Sequence, residues 1–466
     1  MRSACAPRWS QPSKNVLDCS SESLAEMETP SIVHYPSSVE ITPISHPLQA
    51  SVRVPGSKSL TNRALLVAAL ADGTTRLTNA LFSDDSRYFA KALQKLGFDL
   101  SLDLEHAEMT VAGLGGRIPA QKAELFIGNA GTAARFLTAF LTLGHGEYIL
   151  DGDGRMRQRP IGDLVSALGQ LGATVLNRSS SITSHSSICP PVQILASGLP
   201  GGGATISGNI SSQFLSALLM VAPCAHKPVE LTVTTDLNSK PYVDMTLEVM
   251  SDFGVEVTRQ DYERFSIPQA MYLPKEAYAI EPDASAASYF FAAPAILGGT
   301  VRVEGLTRRS KQGDIAFLDI LQQMGCVVEE GADYLKVTGP ASLRGVDVDM
   351  RNVSDTAQTL AAIAPFASSP TRIRGIGFIR SKETDRVGAM CAELARLGVE
   401  VQEEPDGLTI QPCASMRPAR VRTYNDHRMA MAFALVGLRI AGLSLENPAC
   451  VSKTFPGYFE VLESLR

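Results

Sequence analysis

The sequence predicts an α/β protein of two domains, each holding three copies of one structural repeat. Three observations lead there. A unit of about 70 residues recurs six times along the chain, too long for the units of a stacked solenoid. Helical and strand periodicities alternate within each copy. One helix per copy is apolar on nearly every side while the next carries a one-sided apolar stripe, so the first belongs inside a core and the second on its surface.

Taken in chain order, each copy opens on a run rich in Ala, Leu and Phe, at residues 63–71, 135–143, 213–222, 288–297, 356–366 and 428–438. A short strand follows each run, at 75–78, 148–150, 229–233, 300–303, 371–374 and 443–445. The second helix then ends in an apolar-Gly pair, Leu96-Gly97, Leu171-Gly172, Phe253-Gly254, Met324-Gly325 and Leu397-Gly398, which read as helix C-caps; the sixth copy stops at the chain end. Three copies on each side place the boundary near residues 275–283. Residues 1–37, rich in Ser and Pro and carrying Trp9, lack periodicity and read as a disordered leader, with Met27 an alternative start.

The chain's 466 residues and 45% hydrophobic content allow sizeable cores. A net charge of −6, from 42 basic and 48 acidic residues, argues against a nucleic-acid binder. No unbroken apolar stretch reaches membrane-spanning length. The leader has no signal-peptide core, and eight cysteines without a C-x-x-C pair suit a reducing compartment, so a cytoplasmic protein is expected. Seven histidines without a ligand motif predict no metal, and no cofactor is expected.

The cations gather where the repeats begin. The first copy starts Ser57-Lys58-Ser59 with Arg63 one turn on; the second has Gly131-Thr132 and then Arg135; the third has Ser211-Ser212-Gln213; the fifth has Ser354-Asp355; the sixth has Asn425-Asp426-His427-Arg428. The fourth offers only Asp283-Ala284-Ser285. Ser, Thr and Asp cap helices anyway, but a cation in the first turn opposes the macrodipole by about 0.3–1 kcal/mol, which favours an external anion as partner for Arg63, Arg135 and Arg428. Two further basic groups stand out. Arg155, Arg157 and Arg159 precede Pro160 and would share one face of an extended segment. Lys382 and Arg386 are four apart on a predicted helix. A cleft between two domains closing on substrates with several negative charges follows. Neither a P-loop nor a dinucleotide fingerprint is present.

The segments PGSKSLTNRALLVAALA, GNAGTAAR, RMRQRPIGDLV, ISSQFLSALLM, SKPYVDMTL, GDI at 313–315, KETDR, YNDHRMAMAF and SKTFPGYF occur in the order found in one family. Over residues 39–466 the chain resembles the 5-enolpyruvylshikimate-3-phosphate (EPSP) synthase family of enolpyruvyl transferases. The resemblance implies two domains, each of three βαβαββ repeats with buried helices surrounded by sheets, an inside-out α/β barrel. One domain would be 38–57 plus 282–466 and the other 58–281. It also implies transfer of the enolpyruvyl group of phosphoenolpyruvate to the 5-hydroxyl of shikimate 3-phosphate, with release of phosphate, in aromatic amino acid biosynthesis; a monomer is expected.

By the same resemblance shikimate 3-phosphate would meet Lys58, Ser59, Arg63, Ser211, Ser212, Gln213, Ser239, Asp355 and Lys382, with Tyr242 near it. Phosphoenolpyruvate would meet Lys58, Gly131, Arg159, Gln213, Arg386, Arg428 and Lys453, and Arg135 would support the loop at Gly131. Asp355 is the expected base and Glu383 the expected acid, with Lys58 assisting or replacing it. The family usually has Met before and Pro after the arginine of the second repeat, where Ala134 and Phe136 stand here. That change bears on how glyphosate, a mimic of phosphoenolpyruvate, would fit beside Gly131. Phe378 replaces a frequent polar contact to the shikimate phosphate. Two alternatives are a UDP-N-acetylglucosamine enolpyruvyl transferase, whose mobile-loop cysteine is missing from residues 117–125, and a non-catalytic anion-binding protein on the same fold.

Overall fold

The computed structural model describes residues 35–178 and 188–466, so most of the expected leader lies outside the described residues. Its last residues are anchored rather than free: the Tyr35 ring meets Phe459 edge-on at 5.4 Å and its hydroxyl donates to the Pro456 carbonyl at 2.7 Å. The six expected apolar runs are helices at Lys58–Leu70, Gly131–Phe140, Ser212–Val221, Ala284–Leu297, Ala357–Ile363 and His427–Gly437. Lengths this short are marginal for an isolated helix in water, so burial of almost every side chain is what holds them. The surface helices end as their glycines require, Gly97 at φ +93° and Gly398 at φ +84°, where a side chain would be strained.

Among the described residues the strands form five sheets of four and one of three. Every sheet is organised around the strand that follows a buried helix. His145–Asp151, for example, runs parallel to Lys122–Phe126 and antiparallel to Val192–Ser197. Two strands are exchanged between sheets. Leu48–Val52 precedes the first buried helix, yet it pairs in parallel with Gly299–Glu304 of the fourth repeat, Val52 opposite Val303. Tyr278–Ala279 precedes the fourth buried helix, yet it pairs in parallel with Asp72–Thr78 of the first. Ser38–Glu40, antiparallel to Ser444–Glu446, supplies an edge strand to the sheet of the sixth repeat.

Two hydrophobic cores result, one drawn from residues 60–280 and the other from 41–54 together with 286–465. The chain crosses between them twice, and the crossings bond to each other: Ser57 N donates to Glu281 O and Asp283 N to Pro55 O, both at 2.8 Å. Gly56 lies between these bonds, where an added Cβ would sit 1.8 Å from the Asn79 carbonyl oxygen. No helix of the described residues is long and apolar enough to cross a membrane. Because that carbonyl is backbone and cannot swing aside, Gly56→Ala is expected to lower stability by roughly 1–3 kcal/mol, read as a lower denaturant midpoint at unchanged slope.

Candidate active site

The starts of the six buried helices meet in one cleft between the two cores. Ser57 caps the first helix, accepting from Leu60 N at 3.4 Å. Asp283 joins the first and fourth, one oxygen accepting from Lys58 N at 3.1 Å and the other from Ala286 N at 2.8 Å. Gln213 reaches from the third helix to Thr132 on the second at 3.3 Å. Arg428 of the sixth holds the fifth, donating to the Asp355 carboxylate at 2.6 Å and to its backbone carbonyl at 3.0 Å. The positive dipole ends of these helices therefore face the cleft, with side chains taking up several of their first N–H groups.

Arg386 is the centre of the charged network. Its guanidinium, 2% exposed, reaches Asp426 at 2.8 Å, Glu383 at 2.8 Å and Asp355 at 3.4 Å. Glu383 also faces Arg159 at 3.6 Å and Lys453 at 3.8 Å. Lys453 and Lys58 share Asp85, at 3.0 and 3.8 Å. Burial alone would raise the Asp355 carboxyl, but Arg428, Arg386, Lys382 and Lys58 hold it well below the usual carboxylate range. Glu383 is likewise held ionised against its burial by Arg386, Arg159 and Lys453. Burial lowers Lys382 to about 8, Asp355 opposing and Arg386 assisting. The buried His427 imidazole is held neutral by desolvation and by Arg428 and Lys58.

Lys58, Asp355, Lys382, Glu383, Arg386, Arg428, Lys453 and Arg159 thus belong to one electrostatic cluster. Gly131 lies against Arg159, close enough that an added Cβ would sit 2.4 Å from Nη2. Ser211, Gln213, Arg159 and Lys382 line a cavity of about 20 Å³, room for little more than one water. Ser212 is buried in the first turn of its helix, and Ser59 gives its carbonyl to Arg63 at 3.0 Å. Ser239, in the left-handed region at φ 57°, contacts the Arg351 carbonyl across the cleft at 3.5 Å.

Three expectations are corrected. Arg155, Arg157 and Arg159 do not share a face, because Asp153 accepts from the Arg155 and Met156 amides and turns residues 156–158 into a helical turn. Arg155 donates to the Lys382 carbonyl at 2.7 Å, Arg157 pairs with Asp151, and only Arg159 enters the cluster. Lys382 and Arg386 are not four apart on one helix, since Asp385 caps a helix that begins at Arg386. Nor do Arg63 and Arg135 lie in first turns, since their helices begin at Lys58 and Gly131. Arg63, 1% exposed, bonds Thr246, Ser216 and the carbonyls of Ser59 and Tyr242, bracing its helix against Lys240–Asp252. Arg135 bonds the carbonyls of Gly131 and Pro160, holding the loop that carries Gly131.

Sequence reasoning missed Asp85 and the role of Asp426. Both sit at helix starts, where acids are ordinary, and only their buried partners distinguish them. Asp85 stands in the first turn of a helix with Ser83 at its start, and nothing in the local sequence sets it apart from Asp84 beside it.

Fold and site together define a two-lobed enzyme built to hold polyanionic substrates. A family model described as EPSP synthase (3-phosphoshikimate 1-carboxyvinyltransferase) matches residues 42–462. A 3-phosphoshikimate 1-carboxyvinyltransferase of Nostoc punctiforme is 51% identical over 421 residues, 90% of this chain and 97% of the relative. One of Sulfurovum sp. is 48% identical over 430 residues, 92% and 99% of the two chains. The solved EPSP synthase of Acinetobacter baumannii, 24% identical, superposes with a TM-score of 0.77 over 92% of this chain and 98% of its own, a likeness of fold. The chain belongs to the EPSP synthase family.

Removing Asp85 leaves Lys58 and Lys453 facing each other without their shared anion. Asp85→Ala is expected to cost roughly 1–3 kcal/mol, less than a fully buried pair because both lysines reach water. Added inorganic phosphate should raise the melting temperature of the variant more than that of the parent, since the ion takes the vacated place; thermal unfolding with and without phosphate measures it.

Proposed function

We propose that the chain transfers the carboxyvinyl group of phosphoenolpyruvate to the 5-hydroxyl of shikimate 3-phosphate and releases phosphate, acting as a monomer. The observation that carries this reading is the charge balance of the cleft. Six cations, Lys58, Arg159, Lys382, Arg386, Arg428 and Lys453, meet four carboxylates, Asp85, Asp355, Glu383 and Asp426. That concentration of cations, together with the helix N-termini, suits two substrates that bring two phosphates and two carboxylates.

Asp355 takes the proton of the 5-hydroxyl as that oxygen bonds to C2 of phosphoenolpyruvate, while Glu383 or Lys58 adds a proton to the C3 methylene. The adduct then loses a proton from the new methyl group, the C2–C3 double bond re-forms, and the bond between C2 and the phosphate's bridging oxygen breaks to release phosphate. In the free site both carboxylates are too firmly ionised for this work. Bound anions offset Arg428, Arg386, Lys382 and Arg159 and return proton affinity to Asp355 and Glu383, so substrate binding itself prepares the acid and the base. Glyphosate would compete at the phosphoenolpyruvate side, beside Gly131 and Arg159.

The lobes are proposed to be domains of 38–57 plus 282–466 and of 58–281, opening about the paired crossings. A space of about 20 Å³ beside Arg159 and Lys382 admits neither substrate, and bonds such as Arg155 to the Lys382 carbonyl close it.

Phosphate release from phosphoenolpyruvate, with shikimate 3-phosphate, with UDP-N-acetylglucosamine and with neither, tests the reading. Release only with shikimate 3-phosphate supports it; release only with the sugar nucleotide, or none at all, overturns it. Asp355→Ala should lower turnover by about 10²–10⁴ while substrate binding by calorimetry persists. Lys382 carries its charge below about 8 and loses it above, so kcat/KM for shikimate 3-phosphate should fall as pH rises through that value. Lys382→Arg should remove that limb of the profile.

A further inference from the structure

Beside Asp355 lies a second carboxyl that the proposed reaction does not use. Asp314 belongs to the turn Gly313–Ala316 and is 4% exposed. The Tyr242 hydroxyl lies 3.0 Å from Asp314 Oδ2 and 3.1 Å from Asp355 Oδ2, so one phenol bridges the two carboxyls. Ser285 Oγ makes a short contact with the same Asp314 Oδ2. Asp314 Oδ1 is buried and has no hydrogen-bond partner.

Proton counting makes the arrangement informative. Three contacts, Ser285 to Asp314, Asp314 to Tyr242 and Tyr242 to Asp355, need three hydrogens. The two hydroxyls supply only two, so with both carboxyls ionised one contact sets lone pairs against each other. One further proton fills the chain. Asp355 does not hold it, because Arg428 at 2.6 Å and Arg386 at 3.4 Å favour its charge. Asp314 has no cation within salt-bridge reach among the described residues, and one of its oxygens is bare. The charged groups around it are Asp355, Asp283 and Arg428, two of them of its own sign.

We propose that Asp314 is a positioning residue that stores one proton and, through Tyr242, sets the proton affinity of Asp355. This rests on the reading of Asp355 as the base. While Asp314 is protonated it donates to Tyr242, and the phenol gives its own proton wholly to Asp355, weakening that carboxylate as a base. When Asp314 ionises, it draws the phenolic proton toward itself. Asp355 then loses a donor and gains a like charge within one phenol's width, and both changes raise its proton affinity. No proton is consumed overall, so Asp314 tunes the base without entering the reaction's balance. Burial and Asp355 push Asp314 up to about 6, which places the transition where activity can be followed.

The test combines a pH profile with infrared spectroscopy. In the parent protein kcat should carry an acid limb near 6, and Asp314→Asn should abolish it, because an amide donates to Tyr242 at every pH. Turnover at pH 8 should fall about tenfold, the effect of one pKa unit at Asp355, with both KM values within twofold. A buried carboxylic C=O band should appear below pH 6 in the parent and vanish in Asp314→Asn; if that variant does not fold, Tyr242→Phe should shift the same band. A limb that survives Asp314→Asn, a rise in KM without a change in the profile, or no carboxylic band at pH 5 overturns the proposal. Failure of the underlying reading looks different: Asp355→Ala would turn over normally while the Asp314 band remained.

Discussion

The constraint on which the rest depends is the convergence of six buried helices at their N-termini. Each contributes several unpaired backbone N–H groups and the positive end of a dipole, and nothing inside a helix can satisfy them. Bringing six such ends together makes a region of positive potential that a folded chain tolerates only by supplying anions or leaving room for them. Asp283, Asp355 and Asp426 are the internal answer, each capping or joining helix starts. The cations gathered at these helix starts are the external answer, side chains placed where substrate anions can meet them.

The same crowding explains why the carboxylates behave differently from one another. Asp355 and Glu383 lie among arginines and lysines and stay ionised although buried. Asp314, a phenol away from Asp355, has no such partner and is pushed the other way. The contrast follows from which cations lie within reach of each carboxyl rather than from burial, which by itself raises all three. Asp355, Glu383, Lys382 and Lys453 come from one lobe, whereas Lys58, Asp85 and Arg159 come from the other.

Much of the fold was legible because its signals are local and repeated. Six apolar helices, the strands after them and the glycine caps can each be read within a window of a dozen residues. The strand exchange was not legible from periodicity, because Leu48–Val52 and Tyr278–Ala279 have the same pattern whichever sheet they join. The resemblance to a family supplied part of it. In the site, residue types at helix starts pointed to the cleft, but they misplaced two of the arginines along their helices. Arg63 and Arg135 read as first-turn cations like Arg428, yet their helices begin at Lys58 and Gly131, and only the neighbouring elements decide which groups each one meets.

The sequence by itself determined the repeat, the burial of one helix per copy, the caps and the gathering of cations at helix starts, since these follow from side-chain polarity at fixed spacing. It also carried the motifs that place the chain in its family. The tertiary structure alone decided which charges meet: Asp85 between two lysines from opposite lobes, Arg386 against three carboxylates, and Tyr242 between Asp314 and Asp355. The physical reason is range. Helix and strand patterns depend on neighbours a few residues apart, whereas the charge on a buried carboxyl is set by groups within a few ångströms in space that lie up to several hundred positions away in the chain.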